Sequence, residues 1–169
     1  QFTDLPIAVI TNLKERCKTW DNVSNVQFLY FERDQKVNRR AKLQMDLISP
    51  FDKTLYIDAD AVIQKPGIEI FADILDKHEM VFNWRITFNP GQPIWNIYAR
   101  CMKRFGVTKP ISIYNGGLIA FRKSPAVRNF FQQWIMMWEC FGNGREMPPL
   151  NCAIKSTGID HGKFPLLYF

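Results

Sequence analysis

The stretch AKLQMDLISPFDKTLYIDADAVI, Ala41 to Ile63, decides the fold. Its first half belongs to a helix predicted over Asn38 to Ile48. Ser49-Pro50-Phe51-Asp52 ends that helix, because proline disfavours helical backbone in the residue before it. Thr54 to Asp58, TLYID, is then an apolar strand that runs straight into Asp58-Ala59-Asp60. In extended backbone alternate residues share a face, so both carboxylates can face one point with Ala59 turned away. Two carboxylates at the edge of a buried strand repel each other and resist desolvation, so they call for a positive partner. A hard divalent cation fits, since it takes oxygen ligands and leaves coordination positions for substrate phosphates. A solvated turn, or an N-cap pair for a following helix, explains the same spacing.

Upstream, the apolar, β-branched run Leu5 to Thr11 reads as a buried strand, and Asn25 to Glu32 as a second. Downstream, Lys65-Pro66-Gly67 is a turn before a short helix, Ile68 to Leu75. Met80 to Trp84 is a fourth strand, and Pro93 to Phe105 a helix with Gly106 as its stop. Ile111 to Lys123 is a strand interrupted or turned at Gly116-Gly117. Ser124 caps the next helix, with Pro125 at its first position. On that helix Val127, Phe130, Phe131, Trp134, Met137, Trp138 and Phe141 fall within an arc of about 120°, a stripe for core packing. A last helix covers Pro149 to Ser156 and a closing strand Lys163 to Phe169. Strands separated by helices predict an α/β fold, a mainly parallel central sheet flanked by helices. In such sheets ligands sit beyond the carboxyl ends of the strands, where Asp58 and Asp60 lie.

With 169 residues and 47% apolar content, the chain suits one domain with a substantial core. A disordered tail, a disulfide-stapled miniprotein and a collagen-like rod are excluded. No apolar run approaches the roughly 20 residues of a membrane-spanning helix. The opening QFTDLPIAVIT lacks the charged start and cleavage site of a signal peptide, and a chain beginning at Gln1 suits a processed product or a fragment. The net charge of +6 is spread along the chain, densest over Lys36 to Lys42 and Arg100 to Lys109. A nucleic-acid-binding domain needs a clustered basic face, so no nucleic acid is expected. Cys17, Cys101, Cys140 and Cys152 have no C-x-x-C spacing. They read as buried thiols of a cytoplasmic protein, with two disulfides as the alternative.

Phosphatases of the haloacid-dehalogenase type also place D-x-D after an apolar strand, and Val62 fits their pattern loosely. That strand opens their fold, however, and a downstream acidic pair completes their magnesium site; no such pair follows Asp60. Three segments resemble a different family. Ala41 to Ile63 is similar to the central segment of GT-A-fold nucleotide-diphosphosugar transferases, the broad Rossmann-related group that includes glycogenin-like enzymes. There a helix with a basic residue leads through S-P-F/Y-D-K/R-T into strand and D-x-D. Tyr114 to Trp134, YNGGLIAFRKSPAVRNFFQQW, resembles the later segment in which Asn-Ser/Gly-Gly begins a strand before a long helix. Glu146 to Ile159, EMPPLNCAIKSTGI, resembles the D-Q-P-x-L-N-x-A-L segment. Order and spacing agree over about two thirds of the chain, which reads as a single domain of this type over residues 1–169.

The resemblance implies that Asp58 and Asp60 bind Mn2+ or Mg2+ bridging the diphosphate of a nucleotide-diphosphate sugar, the donor substrate. Lys42 matches the basic residue that faces the nucleotide, and Arg39 and Asp46 share its helix sector of about 60°. The same residues also suit a solvated basic face with a Lys42–Asp46 pair. Asn115, Gly116 and Gly117 match the Asn-Ser/Gly-Gly motif: glycines let backbone approach a ligand, and the amide bonds sugar hydroxyls. A bulge or a turn requiring positive φ is the plainer account. Glu146 stands where the family has Asp, as a carboxylate that orients the sugar or the attacking hydroxyl or acts as a base; Met147 replaces its Gln. An acidic residue complementing the helix dipole is the alternative. Two departures stand out. The chain enters at the family's second strand, and its His161-Gly162 lies too early to match the C-terminal segment with the third metal ligand. The expected activity is metal-assisted transfer of a sugar to a hydroxyl on a glycan, lipid or protein acceptor, with retention of configuration favoured. The competing expectation is a non-catalytic nucleotide- or glycan-binding domain of the same fold. Trp84, Trp95 and Trp138 are candidate sugar-stacking residues, Trp138 the weakest because it lies on the core stripe.

Overall fold

The computed structural model describes residues 4–12, 24–31, 39–64, 66–88, 96–106 and 111–165. In chain order the elements are β1 (Ile7–Thr11), β2 (Val26–Tyr30), α1 (Arg39–Leu43), α2 (Met45–Ile48), β3 (Lys53–Ile57) and α3 (Ile70–Leu75). There follow β4 (Met80–Phe88), α4 (Asn96–Arg104), β5 (Ile111–Arg122), α5 (Pro125–Cys140), α6 (Met147–Thr157) and β6 (His161–Lys163). Trp95, the start of the helix expected from Pro93 and the last four residues of the expected closing strand lie outside the described residues.

β1 and β2 pair in parallel, and the other strands form a four-stranded sheet in the order β3-β5-β4-β6. β5 is antiparallel to both its neighbours, whereas β4 and β6 are parallel. Three strands of this sheet therefore point one way, with β5 reversed between them. The α/β class and the flanking helices agree with the sequence. The mainly parallel pairing is refined to a mixed one, because apolar runs encode burial and not strand direction.

Alternation along the central strands sorts the core into two layers. Met80 and Phe82 of β4, with Ile119 and Phe121 of β5, pack against Phe130, Phe131 and Trp134 of α5 and Leu150 of α6. Val81, Leu118 and Ala120 face the other way, onto Phe71 and Leu75 of α3 and onto Phe164. The aromatic stripe on α5 is thus core, as its spacing predicts. Ser124 accepts the Val127 N–H at 3.2 Å and Pro125 takes the first helical position. Gly106, at φ +68°, follows α4 in the left-handed conformation that its role as a stop requires. Among the described residues no helix is long and apolar enough to cross a membrane.

Two departures from the sequence reading shape the site. The helix expected over Asn38 to Ile48 is broken at Gln44, whose φ of −119° is not helical. Asp46 leaves the side of Lys42 and pairs with Arg128 at 2.9 Å, so the Lys42–Asp46 pair of the alternative, solvated-face reading does not form. The second concerns β5, which is continuous through Gly116-Gly117. Its register against β4 jumps from Phe82↔Ile119 to Asn83↔Asn115, leaving Gly116, Gly117 and Leu118 as a bulge. On the other edge Leu118 still pairs with Ile57 of β3.

Candidate functional site

The bulge and the end of β3 meet. The Asp58 N–H donates to the Gly117 carbonyl at 2.9 Å, and the Asp58 carbonyl accepts from the Ala61 N–H at 3.0 Å. The chain therefore turns immediately after Asp58, and strand alternation stops there. Asp58 and Asp60 nevertheless line one cavity of about 380 Å³, together with Asn83, Gln64, Asn115, Gly117 and an apolar wall that includes Ile57 and Ile68. Ala59 is exposed and does not line it.

Gly117 is needed for space and not for its backbone angle, since neither Gly116 nor Gly117 has a positive φ. A Cβ on Gly117 would come 2.9 Å from Asp58 Oδ2 and 3.3 Å from Asn115 Oδ1. A Cβ on Gly116 would meet Lys42 Nζ at 3.4 Å. Asn115 Oδ1 accepts the Gly117 N–H at 2.8 Å, which leaves the amide NH2 as the group it offers a ligand. Asn151 anchors this strand: fully buried on α6, it accepts from the Tyr114 N–H at 2.7 Å and donates to the Tyr114 and Met147 carbonyls.

Behind Asp58 lies a charge network. Lys42 Nζ contacts Asp58 Oδ1 at 3.0 Å and Glu146 Oε1 at 3.4 Å, and Arg39 Nε meets Glu146 Oε2 at 3.0 Å. The Lys42 side chain is only 7% exposed. An unpaired ammonium at that depth costs several kcal/mol, roughly, so the two carboxylates account for its burial. By contrast the exposed pair Lys53–Asp76 contributes about 0–1 kcal/mol. Two cations, Arg39 and Lys42, thus meet two carboxylates, Asp58 and Glu146. Asp60 stands outside this network, with no side-chain hydrogen-bond or ion-pair partner among the described residues. The Tyr56 hydroxyl donates to Asp58 Oδ1 at 2.6 Å. Burial, then that hydrogen bond, raises the Tyr56 pKa far above the usual phenol range, so the residue stays a neutral donor.

The structure brings together Asp58, Asp60, Asn115 and Gly117 around the cavity. It places Lys42 against Asp58 and Gly116 beside Lys42. Glu146 and Arg39 lie outside the cavity lining. Both Glu146 oxygens are engaged by cations, and no side-chain cap bond joins Glu146 to α6. Its carbonyl accepts the Trp134 indole N–H at 3.0 Å, while the Trp138 indole donates to the Gly144 carbonyl. Trp138 is thus buried in the core, and Trp84 lies under Lys163 instead of lining the cavity. His161 has both ring nitrogens occupied, by the Tyr114 hydroxyl and the Ile159 carbonyl. Tyr56, Asn83, Gln64 and Asn151 are absent from the sequence reading of the site. Tyr56 had a signal: two residues before Asp58 on a strand, it shares that residue's face.

Asp58 and Asp60 form an oxygen-only donor pair of the kind that suits a hard divalent cation. Among the described residues no group of three or more His, Cys, Asp or Glu side chains is placed to hold a metal. No protein-family model matches the chain, and no curated protein matches its sequence. Among solved structures, it is similar to the galactosyltransferase LgtC in complex with donor and acceptor sugar analogues. The TM-score is 0.52 at 12% identity, over 83% of this chain and 52% of the other. The chain thus spans about half the length of that enzyme. The likeness establishes the architecture alone: the chain has an α/β, GT-A-like fold.

Proposed function

We propose that this chain transfers a sugar from a nucleotide-diphosphate donor to an acceptor hydroxyl on a glycan, lipid or protein, with Asp58 and Asp60 holding Mn2+ or Mg2+. The observation that carries this reading is the pair of carboxylates lining one cavity with Asn115 and Gly117, at the end of a strand in a GT-A-like sheet. A divalent cation bound there supplies stabilisation for the charge that grows on the departing diphosphate. Asn115 offers its amide NH2 to a sugar hydroxyl. Lys42, already desolvated, adds positive charge next to Asp58 where donor phosphates would approach. Glu146 keeps Lys42 and Arg39 in place. Retention of configuration and a cytoplasmic location accompany this reading.

A second reading is a domain that binds a nucleotide sugar without turning it over. It is favoured by Glu146, whose oxygens are both tied to cations and which does not face the cavity. Incubation with a panel of nucleotide sugars, with and without Mn2+, separates the two. Metal-dependent release of nucleoside diphosphate supports transfer; binding without release supports the second reading; neither overturns both.

A further inference from the structure

The geometry points to Tyr56 as a positioning residue that determines which oxygen of Asp58 serves the divalent cation, an inference that rests on the metal-assisted transfer proposed for the same site. Tyr56 precedes Asp58 by two residues at the end of β3, and its hydroxyl donates to Asp58 Oδ1 at 2.6 Å. Lys42 Nζ donates to the same oxygen at 3.0 Å and stands 5.2 Å from the centre of the Tyr56 ring. One side chain therefore holds both partners, the carboxylate through its hydroxyl and the ammonium through its ring face.

This makes the two Asp58 oxygens unequal. Oδ1 accepts two short hydrogen bonds, which occupy its in-plane lone pairs. Oδ2 keeps only the longer Lys42 contact of 3.4 Å, and it lies on the Gly117 side, where a Cβ would come within 2.9 Å. Gly117 is itself a lining residue of the cavity. Asp58 is thus held ready to offer Oδ2 to a cation while Oδ1 remains with the protein. Without the hydroxyl, the carboxylate is free to rotate and shorten its 3.4 Å Oδ2 contact with Lys42. An ammonium engaged in that way competes with a metal ion. Removing the hydrogen-bond partner of a metal ligand weakens affinity roughly 10–100-fold.

Tyr56→Phe removes the hydroxyl and keeps the ring over Lys42. The test measures binding of Mn2+ alone by the loss of the free-ion electron paramagnetic resonance signal, together with metal-free melting curves. The expected result is Mn2+ affinity at least about tenfold weaker in Tyr56→Phe than in wild type, with a melting temperature lowered by no more than the few degrees that one lost, partly screened hydrogen bond explains. Equal affinity overturns the role of Tyr56 and leaves the proposed transfer standing. A wild type that binds no Mn2+ overturns both. If Tyr56→Phe does not fold, wild-type protein carrying 13C at the tyrosine ring Cζ is titrated with Mg2+. One tyrosine signal should shift in step with Mg2+ binding, and the absence of any shift overturns the inference.

Discussion

Gly117→Ala adds one methyl group where the site has no room for it. The new Cβ would lie 2.9 Å from Asp58 Oδ2, 3.5 Å from Asp58 Cγ and 3.3 Å from Asn115 Oδ1. Gly117 does not have a positive φ, so alanine incurs no backbone penalty and the effect is steric. Asp58 cannot simply retreat, because the Tyr56 hydroxyl, Lys42 and its own N–H hold it. Overpacking of this kind costs about 1–3 kcal/mol. If Asp58 rotates away instead, it loses hydrogen bonds worth about 1.5–3 kcal/mol in a buried setting. That second figure is discounted for solvent screening, because the Asp58 side chain is 36% exposed. A loss of about 2 kcal/mol lowers the melting temperature by about 4–8 °C in a chain of this size. Differential scanning calorimetry reads the shift, and Mn2+ binding measured on the same samples should weaken with it. Gly144→Ala is the control, since its Cβ would meet nothing within 4 Å and its φ is not positive. A Gly117→Ala protein that melts with wild type and binds Mn2+ equally refutes the close approach of Gly117 to Asp58.

Three further outcomes follow from the packing and the ion pairs. Trp134→Phe loses the indole bond to the Glu146 carbonyl and some core volume, and should cost about 1–3 kcal/mol in urea unfolding; an unchanged midpoint contradicts the anchoring of this segment by α5. The Glu79 carboxyl is held below its ordinary range by hydrogen bonds from Arg122 and Ser124. Its stabilisation is therefore complete above the unfolded Glu value of about 4.3 and is lost as pH falls through the lower folded value. Glu79→Gln should melt below wild type at pH 7, with the gap closing in acid; a gap independent of pH contradicts this. Alkylation of native protein followed by peptide mapping should label the exposed Cys140 and spare the buried Cys101 and Cys152, and labelling of all three at one rate contradicts the packing of α4 on α6.

Local chemistry was the legible part of the sequence. Ser124 and Pro125 announce α5 because a cap and a fixed φ act within one turn, and the aromatic stripe announces its buried face. Asp58 and Asp60 stood out because an apolar strand ending in acids is expensive without a purpose. What depends on pairing between distant segments was not legible. The reversal of β5, and the three-residue bulge that sets Asn115 across from Asn83, are fixed by register and leave no periodic trace. The break at Gln44 redirects Asp46 to Arg128, 82 residues away, which overrides the local helical spacing. Glu146 was found by resemblance, but its engagement by Lys42 and Arg39 required the fold to bring the start of α6 to α1.

The most direct measurement of the central claim is the melting temperature of wild type and Asp58→Asn with a panel of nucleotide sugars, each with and without Mn2+. A ligand that binds only the folded state raises the melting temperature by mass action. The account predicts a Mn2+-dependent rise with at least one nucleotide sugar in wild type and none in Asp58→Asn. An equal rise in the variant, or no rise with any donor in wild type, contradicts it.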